Sequence, residues 1–563
     1  MILRRHTVRL LAGALAAAML VPAAPALAKP QQAATAPALQ VAPDAPRLVV
    51  AISVDQFSAA LFAEYRNHFS HGFARLLAGA VYPSGFQSHA ATETCPGHST
   101  IMTGDHPNRT GIIANHWIDQ NAARANKSIY CAEDETKTAA TPGDYVASVG
   151  HLRVPTLGDR LKMASPQSRN VAVSGKDRAA LMMGGHDTDQ VWWWKDGAFV
   201  TLDGKPADRA AGIENAWLAK ALAAPSPAFD LPTWCATRDH PVKAGDVTVG
   251  TGRFAIAAGD TRGFRTSPRL DAATLDLAEK LVAEMQLGKG PAPDVLSVSL
   301  SANDYIGHAY GTEGAEMCIQ ANALDVELGK FFDFLDAQGI DYVVVLTADH
   351  GGFDLPERQE QQGMPMVRRA DKSTSAAVIG RQVARKLGIA IDGPLILGEG
   401  EAGDYYVNKA LPADRKAQVV SAATAMLEKN PEVAAVFTAD ELADTPAPTG
   451  SPETWSLRER ARESFYEPHS GDFLVLLKRN IVPIPDPKPG YVATHGSPWD
   501  HDRRVPILFW RKGMAGFEQP NPVETVDIAP TLAALIGLDV KPGDMDGRCL
   551  DLDEGPGDTC PAQ

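Results

Sequence analysis

Residues 48–54 read LVVAISV, an almost purely apolar run that leads directly into Asp55. Its length and its content of Val and Ile are typical of a β-strand. Comparable runs occur at VAVSG (171–175), DVLSVSL (294–300), YVVVLTA (342–348) and VPILFW (505–510). Helix-like amphipathic stretches lie at 270–287, 315–335 and 523–538. This alternation predicts an α/β fold, with a mostly parallel central sheet and helices on both faces.

Two regions interrupt the alternation, at about residues 185–260 and 360–490. We expect both to be insertions that cover one end of the sheet. The first contains three consecutive Trp (192–194), which could form a sugar platform, but the following Asp196-Gly197 favours a simple hairpin with a two-residue turn. Because no linker separates the candidate site residues, we predict one catalytic domain over 47–556.

The N-terminus has the features of a secretory signal peptide. Positive charge in MILRRHTVRL precedes an apolar run, and the small residues Ala26-Leu27-Ala28 form a cleavage site. A single membrane span is the alternative, but Pro22 and Pro25 break a run that is shorter than the roughly 20 residues a span needs. We therefore predict a signal peptide over 1–28, a Pro/Ala/Gln spacer over 29–46, and a periplasmic or secreted protein.

Composition excludes some classes of partner. A formal net charge of −15 argues against non-specific binding to nucleic acid, which requires Lys and Arg to neutralise phosphates. No later apolar run has membrane length, so we expect no membrane association after cleavage, and we expect a monomer. The six Cys allow up to three disulfides, of which only Cys549 with Cys560 is close in sequence.

Metal-binding residue types follow several of the predicted strands. In open α/β sheets, ligands bind beyond the carboxyl ends of the strands. Asp304 and His308 are four residues apart, so on a helical turn they share one face and can bind one ion. The adjacent Asp349 and His350 can bind the same ion only if the strand has ended before them. The full set is Asp55, Asp304, His308, Asp349, His350 and His495.

Each of these residues alone would suit a turn, a helix cap or an ordinary polar contact. Together, three Asp and three His at the strand ends of one sheet predict two zinc ions with imidazole and carboxylate ligands. Zinc pairs of this kind hold the attacking and leaving oxygens in phosphoryl displacement. The sequence therefore indicates phosphate-ester hydrolysis.

The stretch SHAATETCPGHSTIMT (88–103) contains several hydroxyls that could be a nucleophile. Pro96 suits the start of a helix and Gly104 its end, which predicts a short helix over 96–103 with Thr94 just before it. Backbone N–H groups and the helix dipole favour an anion there. Thr94 is therefore the candidate nucleophile, activated by metal coordination.

These residues carry a resemblance to a known family. TETCPGHSTIMTG around Thr94, GIIANHW, GKDR, SVDQ, ANDYIGH, TADHGG and THGSPWD resemble the motif set of the alkaline phosphatase superfamily. More narrowly they resemble the PafA-like alkaline phosphatases that use a threonine nucleophile. The resemblance covers about residues 47–545 and implies an alkaline-phosphatase-like fold, with the insertions covering the active-site end.

The resemblance also implies individual roles. Asp55, Asp349, His350 and the Thr94 oxygen would surround one zinc, and Asp304, His308 and His495 would bind the other. Asn115, Lys176 and Arg178 would contact the non-bridging phosphate oxygens; the last two alternate at a predicted strand end and so can project the same way. The implied activity is hydrolysis of small phosphate esters through a phosphothreonine intermediate. Two cationic side chains, Lys176 and Arg178, suit the dianion of a monoester better than the monoanion of a diester, so we predict a phosphate monoesterase with weaker activity on diesters.

Three other functions are weighed against this one. A sulfatase needs a Cys or Ser in a Cys/Ser-x-Pro-x-Arg context, and the residues after Cys95 do not match it. A nucleotide pyrophosphatase/phosphodiesterase of the same superfamily is the nearer alternative. An exported binding protein for phosphate or zinc is the third, and the presence of Thr94 argues against it.

Overall fold

The computed structural model describes residues 44–137 and 145–560. The predicted signal peptide lies outside these ranges, as does the spacer up to residue 43. All described residues fall within one compact unit, and the assignment of 47–556 to a single catalytic domain stays a prediction.

Strands and helices are numbered in chain order. The main sheet has ten strands: β1 (Leu48–Val54), β2 (Ala80–Phe86), β5 (Asn170–Ser174), β6 (Gln190–Lys195), β7 (Ala198–Val200), β10 (Asp294–Leu300), β11 (Tyr342–Thr347), β18 (Arg504–Arg511), β19 (Phe517–Glu518) and β20 (Val523–Glu524). The other strands form smaller sheets: β3 (His116–Ile118), β4 (Ser128–Tyr130), β8 (Val242–Ala244), β9 (Val247–Val249), β12 (Arg368–Arg369), β13 (Ile396–Leu397), β14 (Gly403–Val407), β15 (Val433–Thr438), β16 (Phe473–Leu477) and β17 (Ile481–Val482).

The helices vary from one turn to six. They are α1 (Ala59–Tyr65), α2 (Gly72–Leu76), α3 (Thr94–Thr103), α4 (Pro107–Thr110), α5 (Leu157–Ala164), α6 (Asp177–Gly184), α7 (Arg209–Leu222), α8 (Thr261–Arg265), α9 (Arg269–Met285), α10 (Ala302–Tyr310), α11 (Ala315–Ala337), α12 (Pro356–Gln361), α13 (Ala376–Leu387), α14 (Ala413–Leu427), α15 (Ala439–Ala443), α16 (Leu457–Glu463), α17 (Asp500–Arg503) and α18 (Ile528–Leu535).

Strand β1 lies at the centre of the main sheet. It pairs in parallel with β10 on one side and β11 on the other, and all seven of its residues are buried. Alternate side chains enter different hydrophobic clusters, Val50 and Ile52 one and Val49 and Ala51 the other. Because both faces of the strand are covered, its sequence is apolar except for Ser53.

The main sheet is mostly parallel, as predicted, and it also contains antiparallel pairs. The strand order is β19-β2-β18-β11-β1-β10-β5-β6-β7, and β18 is antiparallel to both β11 and β2. The carboxyl ends of β1, β2, β5, β10 and β11 therefore lie at one edge of the sheet. Because β18 runs the other way, the loop that precedes it, which carries His495, lies at that same edge.

The two interrupting regions have different structures. In the first, β6 pairs in parallel with β5 and extends the main sheet, and β6 and β7 form a hairpin whose turn residues Asp196 and Gly197 both have positive φ. The hairpin is as predicted, but its first strand belongs to the central sheet.

The second region forms a separate four-stranded sheet of order β13-β14-β16-β15, with α13 and α14 sharing its hydrophobic core. Val407 at the end of β14 accepts a hydrogen bond of 3.0 Å from Gln120, and Ser464 accepts one of 2.9 Å from the backbone of Ala90. This region therefore packs beside the segments that contain Asn115 and Thr94.

Three further features complete the fold. The stretch 523–538, predicted as one helix, is instead strand β20, a 3-10 turn and α18. All six cysteines pair, in the disulfides Cys95–Cys131, Cys235–Cys318 and Cys549–Cys560. Across the described parts of the chain, no helix combines the length and apolar character needed to cross a bilayer.

Candidate active site and metal centre

Thr94 is the first residue of helix α3, not the residue before it. The helix begins two residues earlier than predicted because Glu93 takes the extended N-cap conformation and its carbonyl accepts the N–H of Gly97. Pro96 is tolerated as the third residue because the first four N–H groups of a helix have no intrahelical partner. Gly104 ends the helix with φ 75°, as predicted.

The other hydroxyls of residues 88–103 already have partners in the protein, and Ser88 donates to the side chain of Glu524. Ser99, Thr100 and Thr103 donate to carbonyls one turn back in the helix, and Thr92 donates to Ser497. The Thr94 hydroxyl is buried and instead faces two cations, Lys176 Nζ and Arg178 Nη2, each 3.4 Å from Oγ1. Among these hydroxyls, Thr94 is thus the one placed for chemistry on an anion.

Lys176 and Arg178 reach Thr94 from the start of a helix, so the prediction that they alternate at a strand end is wrong. Strand β5 ends at Ser174, Lys176 is the N-cap of α6, and Arg178 lies in its first turn. The two side chains still converge, because the chain turns sharply between the strand and the helix. Burial alone would lower the pKa of Arg178, but Tyr130, Tyr305 and Asp177 raise it above its ordinary value, so the guanidinium is charged.

Asn115 is held by backbone contacts beside the start of α3. Its side-chain Oδ1 accepts the N–H of Cys95 over 2.9 Å, and its own N–H donates to Glu93 over 2.8 Å. Because Oδ1 is occupied, the Nδ2 group is left as the donor of this side chain. The disulfide Cys95–Cys131 fixes the same region, since the Cys131 N–H donates to the Asn115 carbonyl.

Two buried carboxylates lie at the ends of β1 and β11. Asp349 Oδ1 accepts the N–H groups of Gln56 and His350, whereas its Oδ2 has no hydrogen bond among the described residues. Neither oxygen of Asp55 has one, although Lys176 Nζ lies 2.6 Å from Oδ2. Burial raises the pKa of Asp55 well above its ordinary value, and the charge of Asp349 adds to this.

Asp304 and His308 lie on one face of α10, as the four-residue spacing predicts. His308 Nε2 is 3.3 Å and His495 Nε2 is 3.4 Å from Asp304 Oδ1, while Lys176 Nζ is 2.5 Å from Oδ2. Burial alone would raise the pKa of Asp304, but His308 and Lys176 hold it well below its ordinary value. This carboxylate is therefore ionised.

The three predicted histidine ligands are each held through the same ring nitrogen. Each donates its Nδ1 proton to a backbone carbonyl 2.8 Å away: His308 to Ala493, His350 to Gly351 and His495 to Thr92. A neutral imidazole held in this way presents the lone pair of Nε2 on its other side. Metal-binding histidines are oriented by carbonyl contacts of this kind.

The donor set fits bound cations. Burial lowers the pKa of His350 to about 3, so this ring is neutral, yet its Nε2 lies 3.3 Å from Asp349 Oδ2 with no hydrogen bond among the described residues. A lone pair facing a carboxylate, with further unpartnered oxygens beside it, is unfavourable unless a cation lies between them. Nitrogen and carboxylate oxygen donors suit zinc.

The described residues contain two groups of potential ligand atoms, and within each group the atoms lie no more than 4.8 Å from one another. One group is Asp304, His350 and His495, and the other is Asp55, His98 and Asp349. His350 lies between the two groups, since its Nε2 is also 3.6 Å from Asp55 Oδ1. The structure therefore brings all the predicted metal-binding side chains into one centre. The division of the ligands between two ions stays a prediction.

Sequence reasoning missed two buried residues of this centre. His98 Nδ1 is 2.9 Å from the Thr94 carbonyl and 3.0 Å from Asp349 Oδ2, and its Nε2 is 2.9 Å from Ser299 Oγ. Gln56 contacts both Asp304 and Asp349. Both residues lie within motifs quoted above, SVDQ and TETCPGHSTIMTG, but they had no assigned role because their partners lie far away in the sequence. The sequence signal that could have identified them is their position, since Gln56 follows Asp55 and His98 lies one helical turn after Thr94.

The chain is similar to known proteins over most of its length. The family model described as type I phosphodiesterase / nucleotide pyrophosphatase matches residues 49–498. Alkaline phosphatase PhoK of Sphingomonas sp is 54% identical over 529 residues, which cover 93% of this chain and 94% of that protein. Alkaline phosphatase PhoD of Zymomonas mobilis is 49% identical over 520 residues, which cover 92% and 90%.

The fold is also similar to a solved structure. The crystal structure of wild-type alkaline phosphatase PafA matches with a TM-score of 0.77 and 26% identity, over 89% of this chain and 99% of that one. The predicted PafA-like fold and the predicted phosphatase class are therefore confirmed. With the site geometry and these similarities together, the chain belongs to the type I phosphodiesterase / nucleotide pyrophosphatase family, among members that are similar to alkaline phosphatases.

Proposed function

We propose that this chain hydrolyses phosphate monoesters with the help of two zinc ions, through a phosphothreonine at Thr94, and hydrolyses diesters more weakly. The observation that carries the proposal is the convergence of Lys176 and Arg178 on the Thr94 hydroxyl, each at 3.4 Å. Two cations at a single buried hydroxyl suit a substrate with a high negative charge.

The chain's own residues would act on both sides of the transferred group. Thr94 Oγ loses its proton and forms a bond to phosphorus as the bond to the leaving oxygen breaks, and the leaving oxygen takes up a proton to become the alcohol. Water then attacks the phosphothreonine, which releases inorganic phosphate and restores the Thr94 hydroxyl. Arg178, Lys176 and the Nδ2 group of Asn115 would hold the non-bridging oxygens in both steps.

Metal ions would be held by the clustered carboxylates and imidazoles. We assign Asp55, Asp349, His350 and Thr94 to one zinc, and Asp304, His308 and His495 to the other. Bound zinc supplies Lewis-acid stabilisation of the attacking and leaving oxygens. The carbonyl partners of the three Nδ1 atoms hold the imidazoles ready for this role.

We also propose that the protein is exported and acts in the periplasm or outside the cell. Three disulfides are typical of an oxidising compartment. The features of residues 1–28 support a cleaved signal peptide. N-terminal sequencing of the secreted protein tests this, and a mature protein that begins well before residue 29 would contradict cleavage after Ala28.

Steady-state kinetics on a matched pair of substrates test the function. Purified protein with zinc supplied is expected to release p-nitrophenol from p-nitrophenyl phosphate with a higher kcat/KM than from bis-p-nitrophenyl phosphate. Metal analysis is expected to find about two zinc ions per chain. No turnover of the monoester in the zinc-loaded protein would refute the proposal.

A nucleotide pyrophosphatase/phosphodiesterase is the second candidate, because the matching family model carries that description. The same kinetic pair distinguishes the two. A higher kcat/KM for the diester than for the monoester would favour the second candidate, since Lys176 and Arg178 would then add little to recognition.

A further inference from the structure

A third cation lies next to the two that reach Thr94. The ring of Tyr305, which follows Asp304 on α10, has Lys176 Nζ 5.1 Å from its centre and the guanidinium carbon of Arg265 4.6 Å from its centre. The Lys176 Nζ atom and the Arg265 guanidinium carbon are therefore no farther apart than the sum of these two distances. Tyr305 and Arg265 are half-buried, whereas Thr94 and Lys176 are buried. The three side chains lead from the nucleophile towards solvent.

Arg265 has no anionic partner within the described residues. No hydrogen bond or ion pair of its guanidinium occurs there, and its Nε atom is buried without a partner. Neighbouring arginines differ in this respect: Arg253 pairs with Asp239 at 2.7 Å, Arg262 donates to the Pro489 carbonyl, and Arg269 donates to the Phe254 carbonyl. A guanidinium offers five N–H donors in a planar fork, and such forks usually bind carboxylate or phosphate.

Stacking on an aromatic ring fixes the guanidinium without using its donors. A cation over a Tyr face is attracted to the ring, which orients the planar group. The donors around its edge stay available for an anion. Arg265 differs from the neighbouring Arg262 and Arg269 because, among the described residues, its guanidinium has neither a carboxylate nor a carbonyl partner.

We propose that Arg265 binds a second phosphate, carried by the leaving group of the substrate. The chemical class is that of phosphate esters and anhydrides with two or more phosphates, of which nucleoside diphosphates are an example. Lys176 and Arg178 hold the group that is transferred, and Arg265 holds the next one along, on the solvent side of Tyr305. This inference rests on the proposed function and adds a preference among its substrates.

The test compares the zinc-loaded mature chain with Arg265→Gln and Arg265→Lys. The substrates are ADP, whose leaving group AMP carries a phosphate, and p-nitrophenyl phosphate, whose leaving group does not. In Arg265→Gln the ratio of kcat/KM for ADP to that for p-nitrophenyl phosphate is expected to fall about ten-fold, the effect of one charge-assisted contact. Arg265→Lys, which keeps the charge, should restore part of the ratio.

Arg262→Gln is the matched control, since Arg262 lies on the same helix and its donor contact is to a backbone carbonyl. Its substrate ratio should equal that of the wild type. An unchanged ratio in Arg265→Gln, whether or not both activities fall, would overturn the proposal and leave Arg265 as a packing partner of Tyr305.

Calorimetric binding of inorganic pyrophosphate and inorganic phosphate gives a readout that does not depend on turnover when Arg265 and Arg265→Gln are compared in a Thr94→Ala background, which lacks the nucleophile. Arg265→Gln is expected to weaken pyrophosphate about ten-fold more than phosphate. If the wild type fails to hydrolyse p-nitrophenyl phosphate, the proposed function fails, and the binding difference still decides the role of Arg265. Equal weakening of both ligands would refute the second subsite.

Discussion

The side-chain amide of Gln56 donates a hydrogen bond of 2.9 Å to Asp304, which is 248 positions away in the sequence. The backbone N–H of the same residue donates to Asp349 over 3.1 Å. Gln56 thus connects two carboxylates that we assign to different zinc ions. It does so with φ 63°, a conformation unusual for a residue other than glycine, and Gly307 and Gly352 leave space for its side chain.

Replacing Gln56 by Leu should weaken zinc binding. Leu has a similar size but no amide, so Asp304 would lose the donor to its Oδ1 atom and keep only Lys176 at Oδ2. Loss of such an outer contact typically lowers metal affinity by about 10- to 100-fold. Zinc release in competition with a chelator measures this directly. The control is Gln56→Gly, which relieves the positive φ but also lacks the amide, and it should bind zinc as weakly as Gln56→Leu. Wild-type zinc affinity in the Gly variant would show that the backbone geometry, not the amide, determines zinc binding.

Thr94→Ala should lose most of its turnover, by about a thousand-fold or more, as expected when a nucleophile is removed. Thr94→Ser should keep a substantial part, because a hydroxyl remains in reach of Lys176 and Arg178. Acid quenching of the wild type during turnover, followed by mass spectrometry, should identify a phosphopeptide that contains Thr94. An Ala variant within a few-fold of wild type would show that water attacks directly.

Alanine substitution of Lys176 and Arg178 should affect monoesters more than diesters. A monoester dianion has three terminal oxygens, whereas in a diester one of these is capped and the charge is lower. The double variant should lose several factors of ten in kcat/KM on monoesters, each worth about 1.4 kcal/mol of transition-state stabilisation, and much less on diesters. Equal losses on the two classes would contradict the selectivity.

Removal of metal should abolish activity reversibly. Chelator is expected to inactivate the protein, and added zinc to restore it, because both Asp55 oxygens, Asp349 Oδ2 and His350 Nε2 are buried without a hydrogen bond among the described residues. His495→Ala should lower the zinc content to about one ion per chain, because the other zinc site, which contains Asp349, is retained. Active protein that contains no transition metal would refute the metal centre.

His469 should contribute to acid sensitivity outside the active site. Its ring stacks on Trp117 at 4.3 Å, its Nδ1 donates to the Gly111 carbonyl, and burial lowers its pKa from 6.5 to about 4. Between these two values the unfolded chain binds a proton that the folded chain does not, so stability falls as pH decreases, by at most about 1.4 kcal/mol per pH unit. The free energy of unfolding of His469→Gln should fall less steeply between pH 6.5 and 5. Parallel profiles of variant and wild type would contradict this.

Local sequence determined the centre of the fold and most of the site. Strands β1 and β10 match the predicted runs residue for residue, because seven apolar-rich residues between polar boundaries are stable here only as covered strands. The four-residue spacing of Asp304 and His308 places them on one helical face for the same kind of local reason. Thr94 was identified because Pro96 and Gly104 indicate a short helix here, although the helix begins at Thr94 itself.

The tertiary structure alone decided how distant segments meet. Strand β2, AVYPSGF, was not predicted because Pro83 and Gly85 weaken its local signal, and it is stabilised by pairing with β18, more than 400 residues later. The antiparallel direction of β18 brings His495 to the edge where Asp55 and Asp349 lie. Gln56, His98 and Arg265 are defined by partners far away in the chain, and local propensity carries no information about such contacts.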